Sequence, residues 1–346
     1  MSDVMPRNDA LPQLPSLQPS AAWLAASVEE ILEPELPIID CHHHLSEHWG
    51  GYLLPELLND TGCGHAIEAT VYIQCGWHYR LSGSEALQAV GETEAVVALA
   101  EMAANRNAPT KIAAGIVGFA DLRLGEAVDV VLDEQLAASK GRLRGIRNSA
   151  ARHAEFKHGV LPRPMPQLYA DAAFRRGYAR LEQYGLSFDT WIYHTQLSEV
   201  VELAAAFPDV PLILDHVGGL LGAGPYQGRR ADAMREWQPL MQQLAEYPNV
   251  TVKLGGLGTT VCGFDFCLRT TPPSSQELAD AWRPIFDPVI ELFGPQRCMF
   301  ESNFPVDRAS ASYVVVWNAF KRLTSGASAE HKAMLFHDTA ARVYRL

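Results

Sequence analysis

Two hydrophobic periods alternate along this chain. Short, almost continuous apolar runs end in polar residues: PIIDCHHHL from Pro37, ATVYIQC from Ala69, KIAAGIVGFADL from Lys111, GRLRGIR, LSFDTWIYH, VPLILDH, VTVKL and QRCMFE. Between them lie stretches with helical spacing, such as SEALQAVGETEAVVALAEMAANR, LSEVVELAAAFPD and SQELADAWRPIFDPVIELFG. Unbroken apolar strands are what a parallel sheet buried on both faces requires. Eight such strands, each followed by a connecting segment, predict a single-domain α/β (β/α)8 TIM barrel over residues 37–346, with chemistry at the C-terminal strand ends. Residues 1–36 read as an N-terminal arm with a short helix, AAWLAASVEEILEP. SEHWGGYLLPELLNDTG reads as a loop, and ASYVVVWNAFKRLTSG and SAEHKAMLFHDTAARVYRL as two closing helices. A doubly wound sheet would explain the alternation but not the polar residues that recur where strands stop.

Those strand ends carry the candidate chemistry. His42 and His44 lie two residues apart, so on a strand they face the same way, with Asp40 on that face if the strand stays regular. Two neighbouring imidazoles suit a metal ion. The other strand ends supply Gln74, Arg147, His194, Asp215 with His216, Lys253, and then Glu301, Asn303 and Asp307. His42, His44 and His216 are the expected metal ligands, with a carboxylate from the eighth strand. Asn303 can hydrogen-bond but cannot act as a general base, so Glu301 is the replacement carboxylate if its side chain reaches the centre. Arg147 and Lys253 suit a carboxylated substrate or a lactone oxygen. Trp49, Gln74, Trp77, Tyr79, His194 and Phe304 are expected to bind substrate, the aromatics, together with Tyr193, lining the mouth. The Pro-rich segment 160–167 and the loop 255–273 are long enough to be walls or lids. Gly255, Gly256 and Gly258 lack the strand–helix context of a nucleotide-binding loop.

Composition narrows the partners. A net charge of -12 disfavours nucleic acid and anionic membranes, leaving a small-molecule substrate. No stretch has the length and apolarity of a membrane helix, and the first residues lack the pattern of a signal peptide. The six cysteines form no CxxC pair, which fits reduced thiols in a cytoplasmic protein. The Pro-rich arm has no evident job within one subunit and suggests a homodimer.

With DCHHH, RGIR, the HTQL turn, LILDHVGG, VTVKLGGL, CMFESNFPVD and the closing TAARVYRL in view, the chain resembles the amidohydrolase-2 group of the amidohydrolase superfamily. The resemblance runs from about Pro37 to the C-terminus and is nearest the sugar lactonase and 2-pyrone-4,6-dicarboxylate lactonase branch. It implies a TIM-barrel hydrolase that opens a small, carboxylated lactone by attack of water on the carbonyl. Relatives that decarboxylate small rings supply an alternative, and a ligand-binding barrel without catalysis is a second one. His42 and His44 match the strand-one pair of the family and His216 the strand-six histidine. The family's strand-eight motif Gly-Ser-Asp-Trp-Pro reads Glu-Ser-Asn-Phe-Pro here, so Asn303 stands where the family has its water-activating carboxylate. For hydrolysis, Glu301 or Asp215 would then have to take the proton, with Glu301 preferred. The resemblance implies either one divalent metal, zinc or manganese, or the metal-free mechanism that other members of the branch use.

Overall fold

In a computed structural model of the protein, which describes residues 11–14, 18–158 and 164–346, eight parallel strands lie side by side in chain order. They are β1 (Ile38–His43), β2 (Ile67–Ile73), β3 (Lys111–Gly118), β4 (Leu143–Arg147), β5 (Ser187–Thr190), β6 (Leu212–Leu214), β7 (Val250–Leu254) and β8 (Cys298–Phe300). A helix follows each: α1 (Leu54–Thr61), α2 (Val90–Asn105), α3 (Asp129–Ala138), α4 (Ala172–Gln183), α5 (Leu197–Ala206), α6 (Arg230–Ala245), α7 (Ser275–Phe293) and α8 (Tyr313–Leu323). The architecture is the (β/α)8 barrel. β8 is only three residues long, so the irregular chain after it completes the closure. Asn303 N–H donates to His42 O at 2.9 Å, and His44 N–H donates to Phe304 O at 2.7 Å.

Local chemistry starts several helices. Asp171 accepts from the N–H groups of Ala173 and Phe174, and Ser274 with Glu277 forms a capping box, so donors left free by the first turn are satisfied. α1 falls inside the segment expected to be a loop. Pro55 near its start and Leu54 and Leu57 on its buried side make a short amphipathic helix too brief to announce itself by period. The expected early helix is only the turn Ala21–Leu24. Of the Pro-rich 160–167 wall, residues 160–163 lie outside the described residues, as do 1–10 and 15–17 of the arm.

The barrel has an outer core between strands and helices and an inner one of its own. Ile39, Cys41, Ala69, Val71, Ile73, Val117, Ile213 and Met299 fill the inside of the strands, and Ala340 and Tyr344 join them from the end of the chain. That last segment runs as α9 (Ala329–Ala333), a π-helical turn Met334–Asp338 and α10 (Thr339–Tyr344). It stoppers one end of the barrel and leaves the end where strands finish for polar side chains.

Candidate active site

β1 is not regular, and this decides which of its residues meet. Asp40 pairs with Thr70 but His43 with Tyr72, so β1 takes three steps where β2 takes two. The bulge turns Cys41 into the inner core and leaves His42 facing inward as well. Asp40 therefore leaves the histidine face. It accepts from Ser302 N–H at 3.0 Å, Ser302 Oγ at 2.6 Å and Tyr313 OH at 2.9 Å, tying β1 to the β8 loop and α8. Burial lifts its carboxyl to about 6 against these bonds.

Glu301 joins the histidines. Its Oε1 lies 2.5 Å from His216 Nδ1 and accepts from His216 N–H at 3.2 Å. Its Oε2 lies 2.7 Å from His42 Nδ1 but out of line for a hydrogen bond, and is left buried without a hydrogen-bond partner. Burial would raise this carboxyl, but His216 outweighs it and brings it to about 2, so it is ionised. Burial likewise lowers His42, which stays neutral.

His42, His216 and Glu301 can each offer one ligand atom, all within 4.8 Å of one another. Two imidazoles and a carboxylate with an unsatisfied oxygen fit a divalent cation such as zinc or manganese. The expected ligand set includes His44; the compact triad takes Glu301 in its place. His44 stands beside it, Nε2 to Nε2 with His42 at 3.2 Å, while its Nδ1 meets Ile73 O at 2.7 Å. The carbonyl accepts from Nδ1, so His44 keeps a bare Nε2 lone pair turned towards His42.

Beneath the triad lies a layer of charges sealed from water. The Lys253 ammonium donates to Asp189 Oδ2 at 2.7 Å, meets His42 Nδ1 at 3.2 Å and forms an ion pair with Asp215 Oδ1 at 3.0 Å. Burial opposes its charge, but Asp189 and Asp215 hold its pKa above the ordinary lysine value. For Asp215, burial is outweighed by Lys253 and Arg147, and its carboxyl is held down. Arg147 reaches Asp215 Oδ2 at 3.3 Å and donates to Gln74 O at 2.6 Å, so its guanidinium is largely committed within the protein. Asp189 is a site residue that strand-end reasoning misses. Its only signal is a lone acid inside the apolar strand LSFDT, with Phe188 facing the outer core beside it. Tyr344 OH donates to the same Asp189 oxygen at 2.6 Å, a contact from the far end of the sequence that no local pattern announces.

The remaining expected residues divide. Trp49 packs 5.5 Å from the His44 ring, and Gln74 donates to Arg147 O. Trp77 is held by Glu47 at 2.5 Å and by Glu92, which accepts from the N–H of both Cys75 and Trp77; Tyr79 is half-buried on the same loop. Two residues turn elsewhere. His194 is fully buried, accepts from Leu221 N–H at 3.2 Å and faces Tyr226 and Glu236, so its contacts belong to the β6–α6 connection. Phe304 packs between Tyr52 and Tyr313, behind β1, because the backbone that closes the barrel points its ring at α8. Asn303 donates through Nδ2 to Asp307 Oδ1 at 2.8 Å.

Known proteins resemble this chain over most of its length. An uncharacterised protein of Sinorhizobium fredii, y4mH, is 36% identical over 233 residues, covering 67% of this chain and 70% of its own. L-fucono-1,5-lactonase of Burkholderia multivorans is 31% identical over 292 residues, covering 82% and 90% respectively. A zinc-bound crystal structure of an amidohydrolase from Burkholderia multivorans superposes with a TM-score of 0.68 at 26% identity, over 89% of this chain and 99% of that one. The amidohydrolase family model matches residues 39–346, the whole of the barrel. With that match over a barrel whose mouth holds a buried His–His–Glu triad, the chain belongs to the amidohydrolase family of TIM-barrel metal-dependent hydrolases.

Proposed function

We propose that the protein is a lactonase, adding water across the ester bond of a small lactone to give an open hydroxy acid. The observation that carries this is Glu301, an ionised carboxylate between His42 and His216 with one buried oxygen unsatisfied. The likeness to an L-fucono-1,5-lactonase supports a lactone as the ester in question. A divalent ion held by His42, His216 and Glu301 would polarise the carbonyl and acidify water.

The chain's own residues supply the rest. His44 and His42 crowd the site with neutral imidazoles, and Trp49 behind His44 gives a flat apolar wall for a ring. Arg147 Nε is buried without a partner, which leaves its N–H for an oxygen of the substrate; a carboxylate or the ring ester would fill it. Lys253 fixes Asp215 and His42 from below. In the reaction the water oxygen bonds to the carbonyl carbon and the ring C–O bond breaks. One water proton goes to the departing alkoxide and the other is released from the new acid.

The test is a panel of sugar-acid lactones and carboxylated lactones, with acid release followed by a pH indicator and products identified by mass. Glu301→Gln should lower kcat/KM by about 1,000-fold, the range lost when a principal electrostatic group is removed. An unchanged rate in that variant would sink the role given to Glu301. Carbon dioxide in place of a hydroxy acid would make the protein a decarboxylase.

A further inference from the structure

Three glycines follow β7 in the turn Gly255-Gly256-Leu257-Gly258, and each leaves space for one particular side chain. A Cβ on Gly255 would overlap the Glu301 side chain, one on Gly256 the His216 ring, and one on Gly258 the carboxyl group of Asp307. Gly256 also has φ +69°, so it is held to glycine by conformation as well as by space. Glu301 and His216 belong to the cation-binding triad. The turn accommodates Asp307 in the same manner as those two, although Asp307 lies outside the triad.

Asp307 is buried in the short turn Val306–Ala309 after β8, and its two oxygens grip two different loops. Oδ1 accepts from Asn303 Nδ2 at 2.8 Å, and Oδ2 accepts from Gly258 N–H at 3.0 Å. Ser310 Oγ donates to Gly258 O at 3.0 Å and reinforces the second grip. An ionised carboxylate can only accept hydrogen bonds. Asn303 must therefore turn its NH2 group towards Asp307 and its carbonyl oxygen away. That oxygen, Asn303 Oδ1, is buried and has no hydrogen-bond partner. The Asn303 backbone is pinned beside the triad by its N–H bond to His42 O, and its φ of +52° lies in a region that Asn and Asp tolerate better than other side chains. A buried carbonyl oxygen without a donor is costly, and an incoming O–H group satisfies it.

We propose that Asp307 is a positioning residue of the hydrolysis: it fixes the Asn303 amide so that Asn303 Oδ1 accepts a hydrogen bond from the attacking water and orients it. This rests on the lactonase reading above. The polarity of the pair makes the test sharp. In Asp307→Asn, Gly258 N–H still needs an acceptor, so the new amide turns its oxygen to Gly258 and its NH2 to residue 303. Asn303 then flips and offers the water a donor instead of an acceptor. In the double variant Asn303→Asp/Asp307→Asn, the carboxylate at 303 takes that NH2 and still presents an acceptor to the site.

The experiment measures lactone hydrolysis above about pH 8, where Asp307, which burial raises to about 7, is ionised. Zinc affinity is measured by dye competition, and the Asn303 side-chain NH2 is observed by asparagine-selective 15N NMR. Asp307→Asn should lower kcat by about 100-fold, the cost of misplacing a reacting group, with KM and zinc affinity little changed. The double variant should recover to within about tenfold of the wild type. In the wild type the Asn303 NH2 protons should exchange slowly, held by Asp307. Unchanged kcat in Asp307→Asn, a rise in KM alone, or no recovery in the double variant would each overturn the inference. A wild-type protein inactive on every lactone would instead overturn the lactonase reading and the water-orienting role with it, while the NMR signal still reports whether Asp307 holds Asn303.

Discussion

The two ends of the barrel interior are built on opposite principles. At the end where the strands finish, His42, Arg147, Asp189, Asp215, Lys253 and Glu301 are buried together, and every charge is faced by another. At the other end Ile39, Val71, Ile213 and Met299 pack around Ala340 and Tyr344. One phenol oxygen joins the two, from Tyr344 to Asp189. The difference teaches that the charged layer rests on an apolar floor. Its members must neutralise one another or the groups that enter from the mouth, because unpaired charge in such a setting is expensive.

The largest effect should come from breaking the charged end. Lys253→Met leaves Asp189 and Asp215 facing each other without their cation, and should cost about 3–5 kcal/mol of stability by denaturant unfolding. A variant as stable as the wild type would mean that the carboxylates find other partners. The apolar end should respond differently. Met299→Ala opens a cavity and should cost about 2–4 kcal/mol, while kcat measured where the protein remains folded stays within about twofold of wild type. A large fall in kcat with little loss of stability would erase the distinction between the two ends. The link between them gives the smallest change. Tyr344→Phe removes one hydrogen bond to a charged acceptor and should cost about 1.5–3 kcal/mol without altering the cation affinity of the triad. A loss of zinc affinity there would show that the stopper reaches the triad through Asp189 and Lys253.

Much of this architecture is legible in the order of residues alone. Continuous apolar runs give away the parallel barrel because burial on both faces leaves no polar alternation to blur it. His42, His216, Lys253, Asp215 and Glu301 stand out because polar residues at the ends of such runs have no packing reason to be there. What stays hidden depends on register or on distance along the chain. A one-residue bulge in β1 removes Asp40 from the histidine face, and alternation cannot foresee a bulge. His194 sits at a strand exit as expected, but its turn aims the ring at Leu221 and Tyr226. Asp189 is masked by its apolar neighbours, and Tyr344 meets it from the other end of the chain. The glycines after β7 are conspicuous in the sequence but carry no stated purpose there, since the side chains that need their space come from beyond β6 and β8.

Those glycines set limits for anyone retraining the protein on another substrate. A library randomised at Gly255, Gly256 and Gly258 would fill with chains that cannot seat Glu301, His216 and Asp307 together. The loop after β2 is the opposite kind of ground. His78 and Leu81 are exposed there, next to Trp77 and Tyr79, so diversity at those positions changes the rim of the mouth and leaves its chemistry intact. The map of where this enzyme can be varied is thus drawn by empty space: the places with no side chain are the ones least free to acquire one.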